Sequence, residues 1–191
     1  MKHTRTVKAR ATVGDNRRIT FYAAVFDQPA TVSDPDGKGG VTTYREVIRP
    51  GAFAEALTSD AEVIANIDHD PAQTFATRST GELLLQEDPH GLFASCYLPA
   101  GEFGDSILSR VQSGELDGCS FRFTAVESRS EGDVVERLRV NLADVCLTAS
   151  PAYLGTEVHL RNKNRHRATG TKLRLLKLRS KTLHNRNLGG A

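Results

Sequence analysis

The most informative segment for the fold is Cys119-Ser120-Phe121-Arg122-Phe123-Thr124-Ala125-Val126. Its aromatic and β-branched residues predict a strand, and alternation directs Phe121 and Phe123 to one face of it. A polar turn follows at 128–133, and residues 134–140 are again rich in β-branched residues. The sequence therefore predicts two strands around this turn.

Similar patterns recur on both sides of this pair, and each is short. Further strands are expected at 19–26, 41–48, 63–67, 82–86, 92–98 and 144–148. Turn-forming residues predict a loop at 33–40, and Pro71 is expected to end the strand that begins at 63. Residues 52–57 favour a short helix. A second helix is predicted where Phe103, Ile107 and Val111 recur at helical spacing, and Ser113-Gly114 is expected to end it. The predicted class is α+β and β-rich, an antiparallel sandwich or barrel with a few short helices.

Bulk properties limit the kinds of protein that fit. The chain has 191 residues, of which 39% are hydrophobic, so one core of ordinary size is expected. The basic N-terminus lacks the apolar stretch of a signal peptide, and no apolar run reaches the length of a membrane span. The three cysteines Cys96, Cys119 and Cys146 are expected to be reduced packing residues of a cytosolic protein.

Charge is distributed unevenly along the chain. Ten of the 25 Lys and Arg residues lie from Arg161 onward, where there is no acid, so residues 1–160 carry 15 basic and 23 acidic residues. The net charge is therefore −8 for residues 1–160 and +10 for residues 161–191. This division predicts an acidic domain at 1–160 and a basic tail at 161–191. The tail is either a flexible solvated extension or a binding segment for acidic protein or nucleic acid.

Ser120 is a candidate nucleophile because it stands near Gly118 at the start of a predicted strand. A rigid strand edge beside a flexible glycine lets a backbone approach the serine closely, as attack on a carbonyl requires. The residue alone is weak evidence, since serine is common near turns for structural reasons. Cys119 is another possible nucleophile, but alternation turns it to the opposite face.

His69 is the candidate base, because it follows a predicted strand that would hold it in place. Imidazole accepts a proton near neutral pH, as activation of a serine requires. The other histidines lie in polar termini, in a turn or beside the tail, where solvent exposure is the simpler interpretation: His3, His166, His184, His90 and His159.

Asp144 lies in an apolar run, where a carboxylate without a partner would be costly. It could accept a hydrogen bond from His69 and so orient the imidazole, or it could pair with Arg137 or Arg139. Asp68, His69, Asp70 and His90 also suggest a metal site, but neither the spacing nor the strand alternation suits one. No metal and no cofactor are expected.

Several segments, taken in order, resemble one known family. They are Ala23-Ala24-Val25-Phe26-Asp27, Glu46-Val47-Ile48-Arg49-Pro50-Gly51-Ala52-Phe53, Asn66-Ile67-Asp68-His69-Asp70, Gly91-Leu92-Phe93, 114–123 and 144–152. The set resembles the prohead, or capsid-maturation, serine proteases of tailed bacteriophages, whose fold is similar to that of the herpesvirus assemblin proteases. The resemblance spans about residues 19–160.

This resemblance implies an assemblin-like, barrel-like core and a catalytic set of Ser120, His69 and Asp144. It implies an endopeptidase that cleaves scaffold, or the scaffolding segment of the major capsid protein, and possible cleavage of itself. Such an enzyme would act in the host cytoplasm inside the assembling procapsid, with no membrane partner and with possible self-association. Arg122 stands where the family usually has a small residue, and it would contact the substrate path or point to solvent.

Two questions stay open at this stage. Backbone N–H groups, Arg137 and Arg139 are the candidate donors to the oxyanion of the reaction. The alternative function is a catalytically inactive structural or scaffold protein of the capsid interior, and reaction of Ser120 with a serine-directed phosphonate would distinguish it from a protease.

Overall fold

The computed structural model describes residues 2–7 and 11–149. Its strands are β1 (Lys2–Val7), β2 (Thr12–Val13), β3 (Arg18–Val25), β4 (Ala30–Pro35), β5 (Val41–Ile48), β6 (Ile64–Ile67), β7 (Asp70–Thr77), β8 (Leu83–Glu87), β9 (Gly91–Tyr97), β10 (Gly118–Glu131) and β11 (Val134–Thr148). Its helices are α1 (Ala54–Thr58) and α2 (Glu102–Ser113), and a short 3-10 turn covers Asp15–Arg17. The β-rich α+β class expected from the sequence is confirmed.

The strands form two sheets. One has the order β1-β10-β11-β5-β4, with β6 added on β11 and β7 on β6; the other has the order β2-β3-β9-β8. The pairings among the described residues do not close into a single barrel. The sheet is also not purely antiparallel, because β11 runs parallel to β5 along its first part and parallel to β6 along its last part.

Strands β10 and β11 are longer than the sequence indicated. The predicted turn at 128–133 is wrong in extent, since β10 continues to Glu131 and the chain reverses at Gly132, where φ is +61°. The predicted separate strands at 134–140 and 144–148 are one 15-residue strand. β10 pairs with β11 along its length with some shifts of register, while β5 and β6 flank only residues 134–137 and 144–147. Between those two stretches the Val140 N–H donates to the Ala52 carbonyl at 2.9 Å, so the middle of β11 is also held from that side.

Four strands were not predicted: β1, β2, β4 and β7. β1 lies in the basic N-terminal segment, which carries no strand pattern, and it pairs with the distant strand β10. β4 covers part of the predicted loop at 33–40 and pairs with the next strand, β5. The strand expected to run to Pro71 ends at Ile67, and after the turn at Asp68 and His69, Pro71 lies inside β7, which pairs with β6. In these strands, pairing with another strand overrides weak local propensity.

One hydrophobic core unites both sheets and both helices. Ile19 and Phe21 of β3 lie in it with Leu92 of β9, and Phe121 and Phe123 reach it from β10. The predicted alternation of β10 is thus confirmed: its aromatic residues face the core, and Ser120 takes the other face.

Helix α2 confirms the second predicted helix and its end. Ile107 and Val111 are buried, and Gly114 adopts a left-handed φ of +79° as the C-cap. Helix α1 begins two residues later than predicted, but Phe53 just before it is fully buried against Phe121, with ring centroids 5.6 Å apart. Phe53 therefore supports the strand that carries Ser120.

The three cysteines are buried thiols, as expected. Within residues 2–7 and 11–149, no helix has both the length and the apolar character needed to cross a membrane. The boundary at 160 and the basic tail at 161–191 lie outside the described residues and stay predictions.

Candidate active site

Ser120 is held in the middle of three strands. It lies opposite Cys146 of β11 on one side and opposite Thr6 of β1 on the other. Its neighbours Cys119 and Phe121 are fixed in the core, so the serine side chain must point to the opposite face. The residue is only 1% exposed.

His69 is presented by a turn between β6 and β7. Asp68 and His69 have φ values of +50° and +60°, in the left-handed region that non-glycine residues seldom occupy. The Asp68 N–H donates to the carbonyl of Leu147 at 3.0 Å, which ties the turn to β11. Such a conformation persists only when the surrounding structure holds it, and it is common at functional sites.

The imidazole of His69 lies between Ser120 and Asp144. Its Nε2 is 2.7 Å from the Ser120 Oγ, and its Nδ1 contacts the Asp144 carboxylate. An ionised carboxylate only accepts hydrogen bonds, so the network assigns the ring hydrogen to Nδ1. Nε2 then has a lone pair available for the hydroxyl hydrogen of Ser120.

Asp144 is buried, at 4% exposure, and has two cationic or hydrogen-bonding neighbours. Besides His69, it has the Arg122 Nε at 3.6 Å from its Oδ2. The alternative partners expected from the sequence are engaged elsewhere: Arg137 contacts Glu46, and Arg139 contacts Glu55.

Arg122 connects the carboxylate to the backbone of the histidine. It lies opposite Asp144 in the register of β10 and β11, and its Nη2 donates to the His69 carbonyl at 3.0 Å. Its side chain is 27% exposed, so it does not simply point to solvent. The signal for this was present in the sequence, because Arg122 is two residues from Ser120 on the same face of the strand.

The arginines named as oxyanion donors from the sequence do not contact the serine hydroxyl in this structure. The hydroxyl of Ser120 instead donates to the backbone carbonyl of Arg5, at 2.7 Å, and accepts from the Thr6 hydroxyl, at 3.1 Å. Both residues belong to β1. Sequence reasoning missed them because nothing in the N-terminal segment points to a strand or to a contact with residue 120.

A second buried polar group, here called the Arg5 cluster, lies beside the site. It consists of Arg5, Asp34, Tyr44, Glu46 and Arg137. Arg5 contacts Glu46 through two nitrogens and reaches Asp34 at 2.7 Å, while Arg137 donates to Glu46 at 2.7 Å. The cluster therefore pairs two guanidinium groups with two carboxylates.

The environment of the cluster shifts several pKa values. Burial alone would lower the pKa of Arg5, but hydrogen bonds to Glu46 and Asp34 outweigh it and raise that pKa. Burial would raise the pKa of Asp34, yet hydrogen bonds from Arg5 and Tyr44 hold it below its ordinary range. Burial and the bond to Asp34 raise the pKa of Tyr44 to about 12. The raised pKa of Arg5 and the lowered pKa of Asp34 thus keep this ion pair charged near neutral pH.

The other candidate groups are not arranged for chemistry. Burial raises the pKa of the Cys119 thiol well above its ordinary value and that of Cys146 to about 12, so neither is available as a thiolate. His90 packs its ring edge against Tyr22, and His3 contacts Asp34. His159, His166 and His184 lie outside the described residues. In residues 2–7 and 11–149, no group of His, Cys, Asp or Glu is arranged to hold a metal ion.

A search of curated proteins finds no match. A solved structure, the capsid assembly protease gp21 of bacteriophage T4, is similar with 11% identity and a TM-score of 0.42, over 78% of this chain and 99% of that one.

The family comparison covers most of the sequence. The model described as the caudovirus prohead serine protease matches residues 4–170, which include both long strands and the turn that carries His69. The resemblance predicted from the ordered segments is therefore confirmed. The chain belongs to the caudovirus prohead serine protease family.

Proposed function

We propose that this chain is a serine endopeptidase with Ser120 as nucleophile, His69 as general base and Asp144 as the group that orients the histidine. The observation that carries the proposal is the position of the His69 ring, with Nε2 at 2.7 Å from the Ser120 Oγ and Nδ1 against Asp144. Membership in a family of serine proteases supports the same assignment.

The chemistry follows from these contacts. Ser120 Oγ adds to a peptide carbonyl carbon as its proton passes to His69 Nε2, and the leaving amine takes that proton as the C–N bond breaks. Water then hydrolyses the acyl ester, with His69 again accepting a proton. Asp144 keeps the hydrogen on Nδ1 and stabilises the imidazolium ion, and Arg122 supports both through its contacts with the Asp144 carboxylate and the His69 carbonyl.

The substrates we propose are capsid proteins at the stage of prohead maturation. Scaffold, or the scaffolding segment of the major capsid protein, would be cleaved inside the assembling procapsid in the host cytoplasm, and the protease would also cleave itself. Family membership supports this role. We also propose that the two sheets correspond to an assemblin-like, barrel-like core.

One observation favours a second candidate function. Ser120 is 1% exposed beneath β1, as it would be in a relative that had lost activity and serves only as a structural protein of the capsid interior. The contact of His69 with both Ser120 and Asp144 favours the enzyme, because a structural serine needs no such partners.

A fluorophosphonate probe tests the proposal, because it reacts only with an activated serine. The protein should acquire one adduct, which peptide mass spectrometry should locate at Ser120. His69→Ala should lose the adduct while keeping its circular dichroism spectrum.

Ser109→Ala is the matched control, since Ser109 is an exposed serine of α2 and its loss should leave labelling unchanged. Absence of any adduct both on the wild-type chain and on a variant in which β1 is released, with the fold intact, would assign it to the structural alternative. An adduct on a different serine would contradict the assignment of Ser120.

A further inference from the structure

Strand β1 lies beside Ser120 as an added antiparallel strand. Its residues pair with β10 from Lys2 opposite Thr124 to Val7 opposite Cys119. Many peptide-binding sites take an extended ligand in this way, with backbone hydrogen bonds for affinity and side-chain pockets for specificity. β1 thus has the form of a bound peptide, although it belongs to the same chain.

The Arg5 peptide group lies directly beside the nucleophile. Its carbonyl oxygen accepts a hydrogen bond from Ser120 Oγ at 2.7 Å, the same distance that separates Oγ from His69 Nε2. A serine attacks the carbonyl carbon, which must come within about 3–3.5 Å of it, so a carbonyl that accepts the serine hydrogen through its oxygen is adjacent but not in a reactive orientation. Because the hydroxyl has one hydrogen, donating it to Arg5 withholds it from His69. The arrangement is therefore a resting one.

The Arg5 side chain enters an acidic pocket. It is 7% exposed and contacts Glu46 and Asp34, whose side chains are 3% and 14% exposed. Two carboxylates and the Arg137 guanidinium remain when Arg5 is removed, so the vacated pocket would carry one net negative charge. A buried negative pocket selects a cationic side chain, since an uncharged one would leave a carboxylate without its partner.

We propose that β1 is an internal pseudosubstrate: peptides bind in its place against β10, with an Arg or Lys side chain in the pocket formed by Asp34 and Glu46. The inference rests on the proposed endopeptidase function and names its substrate class. The bond cleaved is the one that follows the basic residue, because the Arg5 carbonyl is the one that lies at Ser120. Substrates must displace β1 before they are cleaved.

Peptide cleavage tests the substrate class. We would measure kcat/KM of the full chain on internally quenched peptides that differ only at one position, with Arg, Lys, Leu or Glu there. The Arg and Lys peptides should be cleaved at least about 100-fold faster than the Leu peptide, after the basic residue. Glu46→Gln keeps the shape of the side chain and removes its charge, and it should reduce this preference about tenfold or more.

Release of β1 tests the pseudosubstrate. Arg5→Glu places a carboxylate against Asp34 and Glu46, so it should free β1 and raise both peptide cleavage and the rate of fluorophosphonate labelling about tenfold or more. Thr4→Ala changes an exposed residue of the same strand and should leave both rates unchanged. A synthetic peptide of residues 2–7 should inhibit the Arg5→Glu variant, and the same peptide with Ala at the Arg5 position should not.

Three results would overturn the inference. One is equal cleavage of the Arg, Leu and Glu peptides, and another is a labelling rate in Arg5→Glu equal to that of the wild type while circular dichroism shows a native fold. The third is absence of inhibition by the 2–7 peptide. If Ser120 is labelled and any of these results is obtained, only the pseudosubstrate inference is wrong and the endopeptidase assignment stays. If no variant is labelled, both are wrong.

Discussion

The proposed triad and the Arg5 cluster are two buried polar groups in contact with the same strand β1. They differ in whether a proton can move within the group. The triad joins one histidine to one carboxylate and one hydroxyl, so a proton can move along it. The cluster joins two guanidinium groups to two carboxylates through ion pairs, and in one of these pairs the raised pKa of Arg5 and the lowered pKa of Asp34 favour the charged forms. A strand can therefore be anchored by permanent ion pairs at one point and still lie beside a group that exchanges protons.

Substitutions in the two groups should therefore affect different properties, catalysis in one case and stability in the other. A change in the triad should remove catalysis and spare the fold, because it alters proton transfer and little packing. A change in the cluster should lower the free energy of unfolding, because it leaves a charge buried without its partner.

Loss of the nucleophile should have the largest effect. Ser120→Ala should lower kcat by about 10⁶-fold without changing the circular dichroism spectrum, and adding His69→Ala should cost little more, because residues that act as one unit are not additive. Single-turnover cleavage of a quenched peptide measures the residual rate. A loss close to the product of the two single effects would contradict their joint action.

Loss of the carboxylate should cost less than loss of the serine. Asp144→Asn keeps the size of the side chain but no longer holds the hydrogen on His69 Nδ1, so kcat should fall about 10⁴-fold. Asp133→Asn, in the exposed turn between β10 and β11, is the control and should leave kcat unchanged. An Asp144→Asn rate within tenfold of wild type would remove Asp144 from the proposed catalytic set.

Two arginines of β11, Arg137 inside the cluster and Arg139 outside it, form a matched pair for stability. Arg137 is buried against Glu46, whereas Arg139 pairs with Glu55 and Glu127 at the surface. Arg137→Met should lower the free energy of unfolding by about 3 kcal/mol, and Arg139→Met by less than about 1 kcal/mol. Urea denaturation measures both, and equal losses would mean that burial does not distinguish them.

A smaller effect is expected for the arginine that supports the triad. Arg122→Gln removes the donor to the His69 carbonyl and the cation near Asp144. Loss of such a hydrogen bond is worth about 1.4 kcal/mol, or tenfold in kcat, with KM unchanged. A change confined to KM would place Arg122 in substrate binding instead, and unchanged kinetics would leave it without a role.

The smallest effect concerns acid stability. The pKa of Asp34 is lower in the folded protein than its ordinary value of 3.8, since Arg5 and Tyr44 stabilise the ionised form against the cost of burial. Its contribution to stability is therefore present above pH 4 and is lost as the pH falls below that value. Asp34→Asn should lower the free energy of unfolding at pH 7 and flatten its decline between pH 5 and pH 2, as urea titrations at several pH values would show. An unchanged slope would mean that Asp34 is not linked to folding.

The strand that carries Ser120 was predictable from the sequence because a local pattern encodes it. Alternation of Phe121 and Phe123 indicated both the strand and the face of the serine, and helical spacing with Gly114 indicated α2 and its end. The proximity of Ser120, His69 and Asp144 did not follow from any local pattern. It was expected from the family resemblance; the three side chains lie in contact, and their catalytic roles stay a proposal.

The features that the sequence did not reveal depend on contacts between strands that are far apart in the sequence. β1 has no strand signal of its own, so its contact with Ser120 follows only from its register with β10. The continuity of β11 through Asn141 likewise depends on β10 beside it, since the polar residues there resemble a break. Arg137 was one predicted partner of Asp144, yet it contacts Glu46 on the parallel strand β5. Sequence spacing alone does not predict that contact.

The parallel pairing of β11 with β6 bears on when the site can exist during synthesis. Asp144 follows His69 by 75 residues, and β6, already paired with β7, gains its second neighbour only when residues 144–147 have been synthesised. A nascent chain that ends before β11 has the serine and the histidine but no scaffold to join them, and such late, long-range closure is slow. A chain still on the ribosome would therefore be inactive as a protease, because the strand that carries Asp144 is synthesised after both His69 and Ser120.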